Sequence, residues 1–352
     1  MIEYLIMIVK ALVIPIGVVS GIPIMVWLER RGSAFIQDRL GPNRIPIFGF
    51  RNAGLIQPIA DVIKLVLKED IIPGQVHRSL FLLAPLIALS AAFCTFSVIP
   101  LADVLKVDDL IIPLQVADLN FGILFILAIA SLGVYGIVLA GWSSNNKYSL
   151  LGGLRSSAQL ISYEVSMGLA IVGVLMVYPS VRLNDVVRMQ GELLWGFLPA
   201  WGIVRQPLAC LIFLVAMFAE TNRTPFDLPE ADAEIVAGYH LEYSSMKFAM
   251  FFMAEYMSMI VMSGVMVTLF FGGWQIPWAP TEVLHQYLSP IATAVVQFLA
   301  FAIKMAFFLF LYVWARWTFP RFRYDQLMSL GWKVLLPLGL VNIFITGLVL
   351  VL

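Results

Sequence analysis

Charged residues, cysteine and histidine are all scarce in this 352-residue chain. Only 12% of its residues are charged and 61% are hydrophobic, whereas soluble domains carry about 25% charged and about 45–50% apolar residues. The formal net charge is zero, so the chain has no overall basic field of the kind that attracts nucleic acid. This composition indicates an all-α polytopic membrane protein.

Ligands for redox cofactors are also few. The two cysteines, Cys94 and Cys210, lie in apolar runs, where we expect them to be small core residues. Two cysteines do not supply the four ligands that an iron–sulfur cluster needs. The three histidines lie outside the apolar runs, so no pair of them faces a buried haem. Neither a P-loop nor a Gly-rich dinucleotide fingerprint is present. We therefore expect no redox cofactor and no nucleotide site in this chain.

Eight apolar runs approach or exceed the length needed to cross a bilayer, which is about 20 residues. They lie near 4–28, 79–101, 119–141, 157–178, 206–222, 248–272, 291–317 and 333–352. The first run carries Glu3 and lacks both a basic start and a small-residue cleavage pattern, so we interpret it as a membrane helix. No internal repeat or separate soluble domain is evident, which predicts a single transmembrane domain over residues 1–352.

Lysine and arginine are distributed unequally between alternate loops. The segments 29–78, 142–155, 219–247 and 315–333 hold sixteen of these residues, and the other loops hold four. Because basic residues are enriched in cytoplasmic loops, this distribution predicts that both termini lie outside and that the long first loop lies inside.

The first inside loop contains an amphipathic segment, GLIQPIADVIKLVLKED, at 54–70. Gln57, Asp61, Lys64 and Lys68 fall at i, i+4, i+7 and i+11 and share one helix face, with apolar residues largely opposite. The pattern predicts a helix that lies in the membrane interface or packs against a partner protein. Asp61 and Lys64 are either an ordinary i,i+3 pair or part of a site.

An acidic segment at 218–243, FAETNRTPFDLPEADAEIVAGYHLEY, separates two apolar runs. Nearby in sequence only Arg223 and Lys247 oppose its acids, and Pro229 fits the first position of a helix. The apolar stretch before it, 207–219, has 13 residues, or roughly 20 Å of helix, which is shorter than a hydrocarbon core of about 30 Å. We therefore expect the acidic segment to line a polar cavity. Its six carboxylates are Glu220, Asp227, Glu230, Asp232, Glu234 and Glu242.

Two further carboxylates, Glu164 and Glu255, lie inside apolar runs. Ionisable residues inside membrane segments are rare and mark ion or proton pathways. Clustered carboxylates repel one another, which allows some of them to hold a proton near neutral pH. We interpret the eight acids as a proton relay, and a solvated, acidic surface helix is the alternative for the segment at 218–243.

Four stretches of the sequence resemble one known family. They are GPNR at 41–44, SSNNKYSLLGGLRSSAQLISYE at 143–164, AETNRTPFDLPEADAEIVAGYHLEY at 219–243 and RWTFPRFRYDQLMSLGWKVLLP at 316–337. They are similar to the eight-helix, quinone-proximal membrane subunit of respiratory complex I. This family comprises the H-type subunits of bacterial NADH–quinone oxidoreductase (NDH-1) and their mitochondrial counterpart, subunit 1. The resemblance covers essentially the whole chain.

The resemblance implies that the chain lines a quinone chamber and links quinone reduction to proton translocation. It places Arg30 and Arg39 near the chamber entrance and Arg223 among the acids, with Asp61 and Lys64 as further chamber candidates. It also divides the acids into two groups. A loop beneath the quinone contains Asp227, Glu230, Asp232 and Glu234. A polar path into the membrane contains Glu164, Glu220, Glu242 and Glu255. Asp232 stands where the family usually has Glu.

The resemblance further implies an assembly rather than an independent enzyme. Expected partners are the iron–sulfur and quinone-site subunits of the peripheral arm and the small and antiporter-like membrane subunits. FMN and the iron–sulfur clusters would reside in those partners, quinone would be the substrate, and the location would be a bacterial inner membrane or an organellar one. The alternatives are the homologous subunit of a ferredoxin-linked dehydrogenase or membrane-bound hydrogenase, a stand-alone cation carrier, and a structural anchor. A carrier would be expected to contain an inverted repeat, which the sequence does not show.

Overall fold

Long apolar helices dominate the computed structural model, which describes residues 2–44, 54–107, 110–229, 232–279 and 281–352. Seven helices in these ranges are long and apolar enough to cross a membrane. The predicted all-α polytopic fold is confirmed. The seven are α1 (Ile2–Ile36), α3 (Arg78–Phe96), α4 (Gly122–Ser143), α5 (Lys147–Val177), α10 (Ser245–Phe270), α12 (Pro290–Thr318) and a continuous helix made of α13 (Tyr324–Ser329), a π-helical turn (Leu330–Leu335) and α14 (Leu336–Val351).

Shorter elements connect these helices. Two antiparallel hairpins pair Leu105 with Ile112 and Leu194 with Leu198. The short elements are α2 (Gln57–Leu67), α6 (Leu183–Met189), α7 (Gly202–Arg205), α8 (Pro207–Glu220), α9 (Asp232–Ile235), α11 (Thr281–Tyr287), the 3₁₀ turn Gly238–His240, and the strands β1 (Leu105–Val107), β2 (Leu110–Ile112), β3 (Leu193–Leu194) and β4 (Leu198–Pro199).

The short fifth span is α8, whose 14 residues extend roughly 21 Å. Most of its side chains are buried, including Phe213, Met217 and Phe218. It packs against α5, α10 and α14. A helix that faces protein rather than lipid does not have to match the bilayer thickness, so its burial explains how so short an apolar helix fits among the long ones.

Two long helices extend beyond the apolar runs that predicted them. Helix α1 continues past residue 28 to Ile36, so that Glu29 and Arg30 lie on a helix rather than in a loop. Helix α5 begins at Lys147, ten positions before its predicted start, and the Asn146 side chain caps it by accepting a hydrogen bond from the Tyr148 N–H. The continuation of α1 begins with Glu29, Arg30 and Arg31, which form helices well. The added part of α5 includes Gly152 and Gly153, where the backbone packs closely against Gly238 and Gly141, so tertiary contacts rather than propensity support it.

One local prediction was wrong, the burial of both cysteines, and another lies partly outside the described residues. Pro229 lies in a turn and α9 covers Asp232–Ile235, so the helix start expected at Pro229 borders residues 230 and 231, which are not described. Cys94 is exposed on α3, because it lies on the outward face of that helix, whereas Cys210 is buried as expected. Glu230 lies outside the described residues, and only the backbone of Asp232 is described.

The hydrophobic core lies where α5, α8 and α10 meet. Tyr163, Phe213 and Phe270 are fully buried there, and Phe301 joins them from α12. Helix α2 packs on α1 and α10 at one end of this core. The core therefore fixes the ends of α1, α8 and α10 relative to one another, and the acidic segment begins where α8 ends.

Candidate functional site

A buried ionic cluster joins α1, α10, α12 and the residues that follow α8. Arg223 Nη1 lies 3.3 Å from Glu29 Oε1, and Arg223 Nε lies 2.8 Å from Glu255 Oε1. The Tyr256 hydroxyl donates to Glu29 Oε2 at 2.6 Å, and Arg316 also contacts Glu29. Two carboxylates thus face two guanidinium groups, which is the condition under which buried charge is tolerated.

The end of α8 directs Arg223 into this cluster. Asn222 adopts φ 48°, and the Arg223 N–H bonds back to the Phe218 carbonyl at 3.3 Å, which turns the chain at the helix end. The Arg223 guanidinium then lies 4.7 Å from the centre of the Tyr256 ring, within the range of a cation–π contact. Arg223 is only 8% exposed.

A polar cavity of about 450 Å³ opens beside the cluster. Its wall includes Asp227, whose Oδ2 lies 3.0 Å from Arg321 Nη2. The cavity therefore contains both acidic and basic groups. The charged residues that line it are Glu29, Arg30, Arg39, Arg223, Asp227, Glu255, Arg316 and Arg321.

A second, apolar cavity of about 360 Å³ lies between α1, α2 and α10. It shares three wall residues with the polar cavity, Arg30, Phe252 and Tyr256, so the two adjoin. Arg30 Nη1 and Asp61 Oδ2, 2.5 Å apart, connect α1 to α2 at this junction. The remaining wall is almost entirely apolar: Ile22, Pro23, Val26, Pro58, Val62, Leu65, Met246, Phe248, Ala249 and Met253.

A third cavity, of about 90 Å³, leads from the cluster toward Glu220. Asn222 and Glu255 line both this buried cavity and the polar one. Its volume suits a few water molecules, since each occupies about 30 Å³ in the liquid. The buried Oε2 of Glu220 has no hydrogen-bond partner among the described residues. Glu164, which accepts a hydrogen bond from Ser131, is close enough to Glu220 for their charges to interact.

The other acids whose side chains the structure describes are paired with residues from distant parts of the chain. Arg155 Nη1 lies 2.6 Å from Glu234 Oε2, and the Asn146 amide donates to Glu242 Oε1 at 2.6 Å. Arg155 is 79 positions from its partner, and Arg321 is 94 positions from Asp227. The acidic segment thus lacks local countercharge, as its sequence indicated, but receives it through tertiary contacts.

Several predicted site residues therefore meet, and others do not. Arg30, Arg39, Arg223, Asp227 and Glu255 share the polar cavity. Asp61 lines the adjoining apolar cavity, Glu220 lines the buried one, and Glu164 lies near Glu220. Three others lie apart from these cavities: Glu234 is on the surface with Arg155, Glu242 lines a separate polar cleft of about 880 Å³, and Lys64 is exposed on α2.

Sequence reasoning missed five contributors: Glu29, Arg155, Tyr256, Arg316 and Arg321. Glu29 follows the apolar run 4–28 directly, so the sequence indicated that the helix ends just before it. Tyr256 follows a predicted relay acid directly, which is a usable signal. The three arginines carry no local signal, since basic residues at predicted inside loops are ordinary. Asp61 pairs with Arg30 rather than acting only as a partner for Lys64.

Comparison with known proteins gives the family. The pattern that defines the NADH dehydrogenase family matches residues 9–347. The chain is 49% identical over 328 residues to the H-type NADH-quinone oxidoreductase subunit of Salinibacter ruber, with 92% of this chain and 90% of that protein covered. It is 50% identical to subunit 8 of the same enzyme from Rhodothermus marinus, with 92% and 91% covered. The chain belongs to the NADH dehydrogenase family.

Membership of the NADH dehydrogenase family confirms the resemblance that the four motifs indicated. A further relative is an H-type NADH-quinone oxidoreductase subunit of Geobacter sulfurreducens, which is 49% identical over 360 residues, with 99% and 96% covered. All three relatives are bacterial. Together with the seven long apolar helices, they support an integral, multi-pass protein of the bacterial inner membrane.

Proposed function

We propose that this chain is the subunit of a proton-translocating NADH–quinone oxidoreductase that forms part of the quinone chamber and couples quinone reduction to proton movement. Relatives of about 50% identity carry the name of that enzyme. The observation that carries the proposal is the adjacency of the three cavities, which share wall residues. An apolar cavity adjoins a charged one at Arg30 and Tyr256, and the charged one adjoins the cavity lined by Glu220 at Asn222 and Glu255.

The apolar cavity suits the tail and ring of a quinone. The molecule would enter between α1, α2 and α10, and its polar head would reach Arg30 and Tyr256 at the junction with the polar cavity. Partner subunits with FMN and iron–sulfur clusters would supply the electrons. Reducing a quinone to a quinol consumes two protons, so the groups of the polar cavity, including Asp227 and Glu255, would experience the change in charge.

The ionic cluster offers a route from that change into the membrane. Arg223 forms ion pairs with both Glu29 and Glu255. If Glu255 takes up a proton, its electrostatic attraction for Arg223 weakens, and the guanidinium would move toward Glu29. The buried cavity then connects Glu255 with Glu220, and Glu164 lies beyond it. In this scheme Glu234 and Glu242 adjust the charge of the acidic segment from outside the buried path.

The contacts between carboxylates and guanidinium groups also bear on the alternative functions. A cation carrier needs carboxylates that are available to bind the cation, but Asp227, Glu234 and Glu255 already face guanidinium groups. The names of the relatives favour the quinone-reducing complex over a hydrogenase or a ferredoxin-linked complex.

The test uses Glu255→Gln and Glu234→Gln in the assembled complex in membrane vesicles. Both variants should oxidise NADH with an artificial acceptor at the wild-type rate, because that reaction bypasses the chamber. Coupled quinone reduction and proton pumping should fall by about tenfold or more in Glu255→Gln, and by less in Glu234→Gln, because Glu234 lies on the surface outside the buried path. A tenfold fall is smaller than the loss of about 10²–10⁴-fold expected when a single proton-transfer group is removed, because several acids share the path.

Glu192→Gln is the matched control, because the Glu192 side chain is 73% exposed and lies outside the cavities described above. It should leave both activities unchanged. Full coupled activity in both the Glu255 and the Glu234 variant would refute the relay. Variants that fail to assemble with their partners would instead favour the structural anchor.

A further inference from the structure

A single buried glutamine on α5 contacts three parts of the segment that carries Arg223. The Gln159 side chain is fully buried. Its Nε2 lies 2.9 Å from the Ala219 carbonyl oxygen, 3.1 Å from Asn222 Oδ1 and 3.0 Å from the Phe226 carbonyl oxygen. These acceptors lie at the end of α8, in the turn that follows it and beyond that turn. One side chain therefore spans the whole segment.

The chemistry of these acceptors fixes which way the Gln159 amide points. An amide nitrogen donates and an amide oxygen accepts, so the opposite orientation would place the oxygen of Gln159 against two carbonyl oxygens. In the observed orientation its Oε1 has no hydrogen-bond partner among the described residues. Gln159 thus serves this segment as a donor. Its two N–H hydrogens face three acceptors, so it can keep two bonds when the segment shifts slightly.

Helix α5 holds both ends of the Asn222 amide. Its Oδ1 accepts from Gln159, and its Nδ2 donates to Ser156 Oγ at 3.2 Å. Ser156 and Gln159 are three positions apart and therefore share a face of α5. Asn222 lines both the polar cavity and the buried cavity, as Glu255 does. The fixed amide of Asn222 is therefore part of the wall that the two cavities have in common.

The bonds from Gln159 also stabilise the backbone on both sides of Arg223. The Arg223 N–H donates to the Phe218 carbonyl at 3.3 Å, and the Phe226 N–H donates to the Arg223 carbonyl at 2.8 Å. Gln159 holds the helix end that leads into Arg223 and the Phe226 carbonyl that follows it. The guanidinium reaches both carboxylates of the ionic cluster from this fixed backbone. Loss of the Gln159 amide would let it leave that position.

We propose that Gln159 is a positioning residue for the relay: it holds Arg223 and Asn222 where a proton can pass from the polar cavity to the buried one. Gln159 is not a wall residue of the three cavities described above, so it acts through those two residues. The inference rests on the proposed function, because it needs the relay through Glu255. Loss of the amide should therefore slow the coupled reaction and leave the affinity for quinone unchanged.

The test compares Gln159→Met with Gln206→Met in the assembled complex in membrane vesicles. Gln206 is the matched control, because it is also a buried glutamine and lies at the opposite end of α8. Its Nε2 donates to Thr346 Oγ1 at 2.8 Å, and its Oε1 accepts from the Asn342 amide at 2.9 Å. Methionine has a similar length without the amide group, so each variant removes one buried, hydrogen-bonded amide.

Rates are expressed per assembled complex, by normalising them to NADH oxidation with an artificial acceptor. In Gln159→Met, kcat for quinone reduction should fall at least about fivefold, which is the effect on an equilibrium of losing one neutral hydrogen bond. The KM for quinone should stay the same, and fewer protons should be pumped for each quinone reduced. Gln206→Met should lower only the amount of assembled complex, because a purely structural loss leaves each remaining complex unchanged.

Hydrogen exchange provides a readout that does not depend on quinone. The backbone N–H groups of Arg223, Phe226 and Leu228 are hydrogen-bonded within the segment, so their exchange reports its opening. Exchange there should be faster in Gln159→Met and unchanged in Gln206→Met. Ser156→Ala removes only the bond to the Asn222 amide and should have a smaller effect of the same kind. It decides the test if Gln159→Met fails to assemble.

The same rate per complex and the same number of protons per quinone in Gln159→Met and Gln206→Met would overturn the proposal. So would a higher KM with an unchanged kcat, since Gln159 would then shape the quinone cavity instead. Glu255→Gln, measured in parallel, separates this proposal from the proposed function. Full coupling in Glu255→Gln would refute the relay and the positioning role with it. An impaired Glu255→Gln beside a normal Gln159→Met would refute only the positioning role.

Discussion

Replacing Arg223 with Gln should destabilise this protein far more than replacing Arg321 with Gln. Both arginines pair with acids of the cavity walls, at 2.8 Å to Glu255 and 3.0 Å to Asp227. They differ in burial: the Arg223 side chain is 10% exposed, whereas the Arg321 side chain is 40% exposed. The two variants therefore compare one chemical change in two environments.

The expected magnitudes follow from that difference. Removing one partner of a buried ion pair leaves the other charge uncompensated, which costs about 3–5 kcal/mol. Glu29 keeps Arg316 and Tyr256, so the cost of Arg223→Gln should lie near the lower limit, about 3 kcal/mol. An exposed ion pair contributes about 0–1 kcal/mol, so Arg321→Gln should cost no more than about 1 kcal/mol.

Labelling of Cys210, followed by mass spectrometry of the peptide that contains it, provides a readout of this chain within the whole complex. Cys210 is buried on α8, the helix that precedes Arg223, whereas Cys94 is exposed on α3. Under native conditions a thiol reagent reaches a buried cysteine only through transient opening. A loss of about 3 kcal/mol corresponds to labelling of Cys210 that is about 100-fold faster, and a loss of about 1 kcal/mol to about fivefold.

The comparison has a clear refutation. If Cys210 is labelled at similar rates in the two variants, the buried cluster does not stabilise the fold in the way its geometry indicates. A double variant, Arg223→Gln with Glu255→Gln, checks the pairing itself. It should be less destabilised than the sum of the two single variants, because each change removes the partner that the other leaves unpaired.

Two further predictions concern other parts of the molecule. The Arg182 guanidinium donates hydrogen bonds to Asp118 and holds the pKa of that carboxyl below its usual value. The pair should therefore stabilise the fold fully above the ordinary pKa of Asp, near pH 4, and lose this contribution as the pH falls through the lower folded value. The difference in unfolding midpoint between wild type and Asp118→Asn should be constant from about pH 7 to 5 and shrink below about pH 4; a difference that grows on acidification would contradict this. In α5, Gly152→Ala should destabilise the fold, because the added Cβ would lie 2.6 Å from the Gly238 backbone. Gly168→Ala in the same helix meets no atom within 4 Å and should be neutral or slightly stabilising, so equal effects on the two unfolding midpoints would show that this contact is unimportant.

The sequence predicts those features that depend on local information. Seven spans appear as apolar runs because the length of such a run is a property of consecutive residues. The shortness of the helix before Glu220 is likewise visible in the run 207–219, and its burial follows. Helix ends are less certain, because the polar residues after Trp27 are compatible with either a loop or the continued helix that the structure contains.

The sequence does not show which distant residues form ion pairs in the folded structure. Arg155 and Arg321 reach Glu234 and Asp227 across 79 and 94 positions. Nothing near either arginine distinguishes it from a basic residue that anchors a membrane loop. The presence of unusual acids was therefore predictable from their cost inside apolar runs, but the identity of their partners was not.

The acids of the cavities differ in how well their negative charge is compensated. Glu255, at the polar cavity, bonds a guanidinium at 2.8 Å. Glu164 accepts a hydrogen bond from a neutral hydroxyl of Ser131. Glu220, between them, has one buried oxygen with no hydrogen-bond partner among the described residues. The proposed relay therefore has an ion pair beside the polar cavity and, further in, a carboxylate for which no such partner is described. In that scheme, movement of Arg223 toward Glu29 would remove the compensating charge from Glu255, so the position of the guanidinium would decide when a proton passes inward.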